Sequence, residues 1–154
     1  MRIGFIGSGQ LGLPLIRRIV GSGKYNSFSL LYESQVGTPS DVLFHDFHLF
    51  SNYQINSFIQ KNDVILSVLP TSRVTLDIIQ KISLEQYNNK KYWLDITSSC
   101  PYDVKNIDNI LHTKNIVYMD APISGGPSGM EKGIVSSIMS GSKEVREKTR
   151  DIID

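Results

Sequence analysis

The sequence predicts a doubly wound α/β domain with a mainly parallel sheet, and three observations carry that prediction. Short apolar runs alternate with helical stretches along the chain, the pattern of strands joined by crossover helices. Met1 is followed almost at once by a core-strand run, Ile3-Gly4-Phe5-Ile6. That run enters a glycine-rich turn and then an amphipathic stretch in which Leu11, Leu15, Ile16, Ile19 and Val20 recur at helical spacing.

The elements follow in order. Arg2 to Ile6 reads as the first strand, and Pro14 sits near the start of the first helix, where a missing N–H costs least. Gly21-Ser22-Gly23 ends that helix, and Phe28 to Glu33 forms the second strand. From Ser34 to Asn56 the period is unclear; a short irregular helix, a third strand near Phe47 to Phe50 and a short helix near Ile55 to Gln60 are expected. Asp63 to Leu69 reads as a buried fourth strand stopped by Pro70. Thr71 or Ser72 can cap the next helix, with Val74, Ile78 and Ile82 toward the sheet. Tyr92 to Ile96 is a fifth strand, and Ser98, Ser99 and Pro101 announce a helix whose buried stripe is Val104, Ile107 and Leu111. Ile116 to Met119 and Ile134 to Met139 are the last strand candidates, and Ser142 caps a final helix with Val145, Ile152 and Ile153 on one face.

A chain of 154 residues suits one domain, here residues 1–154. Sixteen Lys and Arg against fifteen Asp and Glu leave a net charge of +1, which suggests neither nucleic acid nor an anionic membrane as partner. No apolar run approaches the roughly 20 residues of a membrane span. The single cysteine, Cys100, excludes an internal disulfide and agrees with a reducing compartment. With no leader before the first strand, a cytoplasmic location is expected; a mitochondrial one stays open if a transit peptide was removed.

Gly7-Ser8-Gly9-Gln10-Leu11-Gly12 has the spacing of a dinucleotide fingerprint, placed between strand and helix as that motif demands. Gly7 allows the tight turn, Gly9 the approach of backbone to a pyrophosphate, and Gly12 the packing of helix on strand. The helix start offers free N–H groups and a favourable dipole to phosphate. This is the signature of a Rossmann-type fold. Glu33, about 20 residues past Gly12 at the tip of the second strand, can accept from both ribose hydroxyls. Its charge would repel a 2′-phosphate, so NAD is favoured over NADP. Arg17 and Arg18 read as solvated charges. His45 and His48 are too few for a metal site, Cys100 lacks a partner base, and Trp93 reads as a packing residue.

Three later segments narrow the reading: Leu69-Pro70-Thr71-Ser72, Asp95-Ile96-Thr97-Ser98-Ser99-Cys100-Pro101, and Met119-Asp120-Ala121-Pro122-Ile123-Ser124-Gly125-Gly126 with Gly129 and Gly133. With the opening glycines, they resemble the β-hydroxyacid dehydrogenase family, which includes 3-hydroxyisobutyrate dehydrogenase and, more distantly, 6-phosphogluconate dehydrogenase. The Asp-Ala-Pro lead-in resembles the small-hydroxyacid branch. The resemblance implies that Leu69 and Pro70 lie beside the adenosine half of the cofactor and Ser98 near the nicotinamide ribose. Ser124, Gly125 and Gly126 would then form a backbone nest for the substrate carboxylate. It also implies a catalytic lysine beyond Asp154, in an all-helical second domain that serves catalysis and dimerisation in a homo-oligomeric parent. Lys132, Lys143 and Lys148 do not match its motif, so no catalytic residue is assigned. Two functions stay open: half of a hydroxyacid dehydrogenase or reductase, inactive on its own, or a catalytically silent dinucleotide-binding module.

Overall fold

The computed structural model describes residues 1–32 and 47–153, and Glu33, His45 and the short irregular helix expected after the second strand lie outside the described residues. Six parallel strands form the sheet: β1 (Ile3–Ile6), β2 (Phe28–Tyr32), β3 (Phe47–Ser51), β4 (Val64–Ser67), β5 (Lys91–Asp95) and β6 (Ile116–Asp120). Their order is β3-β2-β1-β4-β5-β6, the doubly wound arrangement of dinucleotide-binding domains. Two further short strands, β7 (Ile123–Ser124) and β8 (Ser136–Ser137), pair with each other, and β9 (Ser140–Gly141) adds to β6 antiparallel.

Among the described residues six α-helices cover the sheet: α1 (Gly12–Gly21), α2 (Ile55–Lys61), α3 (Ser72–Ile79), α4 (Pro101–His112), α5 (Gly126–Lys132) and α6 (Lys143–Ile153). On one face Leu15, Ile16 and Ile19 of α1, Met130 of α5 and Val145 of α6 pack on Ile3, Phe5, Leu30, Leu66 and Leu94. On the other, Phe58 and Ile59 of α2, Leu76 and Ile79 of α3, and Ile107 and Leu111 of α4 pack on Ile6, Ile65, Trp93 and Tyr118. β1 and β4 are buried at every position, because helices press on both faces of a parallel sheet.

Several sequence expectations shift. The run Ile134 to Met139 is not one strand: Ser136–Ser137 turns to pair with β7, and Ser140–Gly141 leaves to pair with β6. Its apolar residues mislead, since Ile134 and Ile138 are exposed. β4 ends at Ser67 rather than Leu69, because the Leu69 amide donates to Thr97 Oγ1 (3.0 Å). The buried stripe of α3 is Ser72, Thr75, Leu76 and Ile79, leaving Val74 and Ile78 only half-buried. Neither Thr71 nor Ser72 caps it by side chain; the Ser72 hydroxyl instead donates to Asp103 on α4 (2.6 Å), which fixes the rotation of α3. On α4, Val104 is half-buried beside Ile107 and Leu111. Ser142 does cap α6, its Oγ accepting from the Glu144 amide at 3.1 Å. The side chain of Ile153 is outside the described residues.

Candidate functional site

β1 and β4 are neighbours, yet the chain leaves β1 toward β2 on one side and β4 toward β5 on the other. The connecting loops diverge there and open a crevice at the carboxyl ends of the strands. Four of the loops at this edge carry the candidate residues: Gly7 to Leu11 after β1, Val68 to Thr71 after β4, Ile96 to Cys100 after β5, and Ala121 to Gly125 after β6.

The three glycines of the first loop do different work. Gly7 has φ of +95°, and a Cβ there would lie 2.1 Å from the Val68 carbonyl oxygen. The turn that leads out of β1 beside β4 therefore admits only glycine. At Gly12 a Cβ would lie 2.1 Å from the Gly7 carbonyl oxygen, so helix and turn could not approach. At Gly9 a Cβ would meet nothing within 4 Å. The fold leaves room there. Gly9 and Gln10 are exposed, Ser8 and Leu11 half-buried. Leu11 is the N-cap of α1 and makes no capping side-chain hydrogen bond. Within the first turn of α1 the Leu13 amide donates to the Gly9 carbonyl (2.9 Å), the Leu15 amide to the Leu11 carbonyl (3.4 Å), and Pro14 has no N–H. The open space above Gly9 and the positive end of the helix dipole, rather than a row of free amides, are therefore what fit a dinucleotide pyrophosphate.

The second and third loops are laced together. Leu69 is half-buried, held through its amide to Thr97 Oγ1, and Pro70 is exposed on the rim. Ser98 is exposed next to the buried Thr97. The Cys100 amide donates to Ser72 Oγ (3.3 Å), so the starts of α3 and α4 share one serine. Cys100 itself is the exposed N-cap of α4.

The fourth loop carries Ser124, Gly125 and Gly126, all exposed. Ser124 is held in register with Ser136 across the β7–β8 pair. Gly125 has φ of +133°, and a Cβ there would lie 3.0 Å from the Ile134 carbonyl oxygen. The loop thus folds back against the segment after α5. α5 is tied to α1 by Arg18, whose Nη1 donates to the Glu131 carbonyl (3.3 Å). Arg18 stays exposed, as expected of a solvated charge, and also links the helices that follow the first and fourth loops.

Beneath these loops lies a polar group that pattern reading missed. Asp95 closes β5 and is fully buried. Its Oδ1 accepts from Ser67 Oγ (2.7 Å) and from the Thr97 amide (3.1 Å), while its Oδ2 accepts from the Tyr118 hydroxyl (3.3 Å). Ser67 in turn accepts from Trp93 Nε1 (2.8 Å), so Trp93 packs and also orients this network. Burial pushes the Asp95 carboxyl up, against the pull of its donors. Asp120 is the in-register neighbour of Asp95 on β6. Burial and the nearby Asp95 push its carboxyl up to about 6. The sequence signal was present: each aspartate ends a strand beside a candidate loop.

Other candidates stay apart. His48 lies exposed on β3, and no cluster able to hold a metal occurs among the described residues. Lys143 pairs with Glu147, Lys148 lies over the Tyr92 ring, and Lys132 ends α5. No described helix is long and apolar enough to cross a membrane.

Comparison with known proteins agrees with this geometry. The family described as the NAD binding domain of 6-phosphogluconate dehydrogenase matches residues 2–154. The 2-hydroxy-3-oxopropionate reductase of Escherichia coli (strain K12) is 24% identical over 160 residues, covering 100% of this chain and 51% of that protein. The mitochondrial 3-hydroxyisobutyrate dehydrogenase of Drosophila melanogaster is 21% identical over 154 residues, covering 99% of this chain and 45% of its own length. Among solved structures, Mycobacterium tuberculosis 3-hydroxyisobutyrate dehydrogenase with L-serine superposes with a TM-score of 0.84 at 20% identity, covering 99% of this chain and 51% of that one. The chain spans about half the length of the curated relatives it matches. It belongs to the family of the NAD binding domain of 6-phosphogluconate dehydrogenase.

Proposed function

We propose that this chain is the cofactor-holding half of an NAD-dependent β-hydroxyacid dehydrogenase or reductase, and that it also supplies the seat for the substrate carboxylate. The observation that carries this reading is a placement: the open space at Gly9, before an uncapped helix, lies on the same sheet edge as the exposed Ser124-Gly125-Gly126 loop. One holds a pyrophosphate and the other a small anion. Leu69 and Pro70 border the adenosine half, and Ser98 the nicotinamide ribose. When bound, the nicotinamide accepts or donates the hydride. The backbone of Ser124 to Gly126 orients the acid so that its hydroxyl-bearing carbon faces the cofactor.

None of Lys132, Lys143 and Lys148 takes the part of general base, so the 154-residue chain by itself binds cofactor without turning over substrate. Loss of a general base alone costs about 10²–10⁴ in rate. The base belongs to a helical domain of the whole protein, which also completes a homo-oligomer. Glu33 selects NAD over NADP by accepting from the ribose hydroxyls and repelling a 2′-phosphate.

Calorimetric titration tests the reading. NAD binds at least several-fold more tightly than NADP, and Glu33→Ala narrows that gap. The same protein, incubated with NAD and a panel of small hydroxyacids, forms no NADH. Equal affinity for both cofactors would remove Glu33 from the site, and no binding of either would overturn the cofactor assignment. Robust turnover would place a base within these 154 residues.

A further inference from the structure

We propose that Asp95 and Asp120 form a carboxyl pair that shares one proton, and that this pair positions the Ala121 to Gly126 loop, loosening it when both side chains ionise. The inference rests on the reading of Ser124 to Gly126 as an anion seat, and it assigns to that seat a dependence on pH.

The geometry carries it. The two aspartates end adjacent parallel strands in direct register, and alternation along a strand puts them on one face, with backbones about 4.8 Å apart. Oδ1 of Asp95 is saturated by two donors whose direction is fixed. The Thr97 amide can only donate, and Ser67, already accepting from the donor-only Trp93 indole, turns its proton toward Asp95. Oδ2 accepts from the Tyr118 hydroxyl at a long 3.3 Å, and the Thr97 side chain adds a further bond to the carboxylate. On the other side, Oδ1 of Asp120 is buried with no hydrogen-bond partner among the described residues. A buried acceptor without a donor is costly. A proton held between the two carboxyls removes both the orphan and the like-charge repulsion, as in other carboxyl dyads. The upward shifts of both groups agree.

The loop hangs directly on this pair. The Ala121 amide donates to the Asp95 carbonyl (2.8 Å), and the Ile138 amide to the Pro122 carbonyl (3.3 Å), while Ser137 Oγ donates to the Ala121 carbonyl (3.1 Å). Two negative charges at the root of these bonds push β5 and β6 apart at the point where the loop starts. Asp120, but not Asp95, lines a cavity whose other charged or titratable groups are Tyr118 from β6, Lys105, Asp108 and His112 from α4, Lys90 before β5, and Glu144 from α6. Lys90 and Glu144 neutralise each other at 2.9 Å, and the charge of Asp108 acts on the Tyr118 hydroxyl.

Amide hydrogen exchange of the ligand-free chain, read by NMR at about pH 5 and about pH 7.5, tests this. Protection of the Ala121 and Ile138 amides, corrected for intrinsic exchange, falls at least about threefold as pH rises, while that of Phe5 and Leu66 in the central strands does not. Asp120→Asn, which cannot ionise and can donate to Asp95, holds the low-pH protection throughout. His112→Asn leaves the fall in place. A pH-independent wild type, an equal fall in Asp120→Asn, or abolition of the fall by His112→Asn would each overturn the proposal. A carbon-13 titration of the wild-type carboxyls requires no variant to fold: coupled, upshifted midpoints for Asp95 and Asp120 support the pair, and two independent, ordinary midpoints sink it. A separate titration with a small hydroxyacid distinguishes the underlying reading. Absent anion binding alongside pH-dependent protection defeats the seat and leaves the pair.

Discussion

The two edges of the parallel sheet solve opposite problems. At the amino-terminal edge the charged groups are matched. Arg2 bonds Asp63 at 2.9 Å, and the nearly buried Lys91 donates to the carbonyls of Gln60 (2.8 Å) and Asn62 (2.7 Å). Lys114 likewise donates to the Ser83 carbonyl, and Asn115 to that of Tyr87. These bonds hold helix ends and turns against the strands that follow them. At the carboxyl-terminal edge the loops stay partly uncommitted: α1 begins without a side-chain cap, Gly9 opens on space, and two aspartates end adjacent strands in register. The carboxyl-terminal edge keeps its buried network below the loops, which leaves the loops above it open to hold ligands. A parallel sheet permits this division because all of its crossovers deliver loops to the same edge.

The largest expected effect separates two glycines of one loop. Gly9→Val abolishes NAD binding, by at least about 100-fold, because its side chain fills the pyrophosphate space; the thermal midpoint stays close to wild type. Gly7→Val does the reverse first. It meets the Val68 carbonyl and an unfavourable φ, destabilising the fold by roughly 3–5 kcal/mol. Calorimetry and thermal melts on both proteins measure the contrast. Normal NAD binding by Gly9→Val would remove the loop from the cofactor site.

A smaller effect belongs to the closed edge. Lys91→Met leaves the Gln60 and Asn62 carbonyls without their donor and should lower stability by about 2–4 kcal/mol, with cofactor affinity unchanged. A denaturant melt beside an NAD titration reads both. A loss of affinity without a loss of stability would break the proposed division between edges.

The smallest effect is a pH dependence. Burial pushes the Asp63 carboxyl up, but the hydrogen bonds and charge of Arg2 outweigh it, and the group ends below its ordinary value. A carboxylate lowered on folding adds stability above its unfolded pKa and loses it as pH falls through the folded one. The pair is half-exposed and screened, so Asp63→Asn should cost no more than about 1 kcal/mol near neutrality. That difference should fade below about pH 4, and melts across the acid range would show it. A difference that persists unchanged in acid would assign the loss to packing instead.

The six parallel strands, the fingerprint glycines and the family loops were legible in the residues, because each depends on local pattern, whereas α5 and the short strands β7, β8 and β9 were not. Ile3 to Ile6 reads as a strand from its apolar run, and Gly7 to Gly12 reads as a turn and helix start from its spacing. Helix rotation was less legible. Val74 and Ile78 have the right spacing for a buried stripe, but the bond from Ser72 to Asp103, 31 residues away, turns α3 so that Thr75 and Leu76 face inward. The run from Ile134 to Met139 failed for the same reason, since its partners are β7 and β6 and neither announces itself in the run.

By itself, then, the sequence determined that an α/β domain forms and which loops border its crevice: turn chemistry and apolar periodicity act over a few residues. Only the tertiary structure decided that Gly9 is open while Gly7 and Gly12 are crowded, that Arg18 links α1 to α5, and that Asp95 stands in register with Asp120. Those facts depend on groups far apart in the chain that share a place only after the sheet is assembled. Burial then sets the energetic weight of each, because a carboxylate or a carbonyl removed from water must find its partner within the fold.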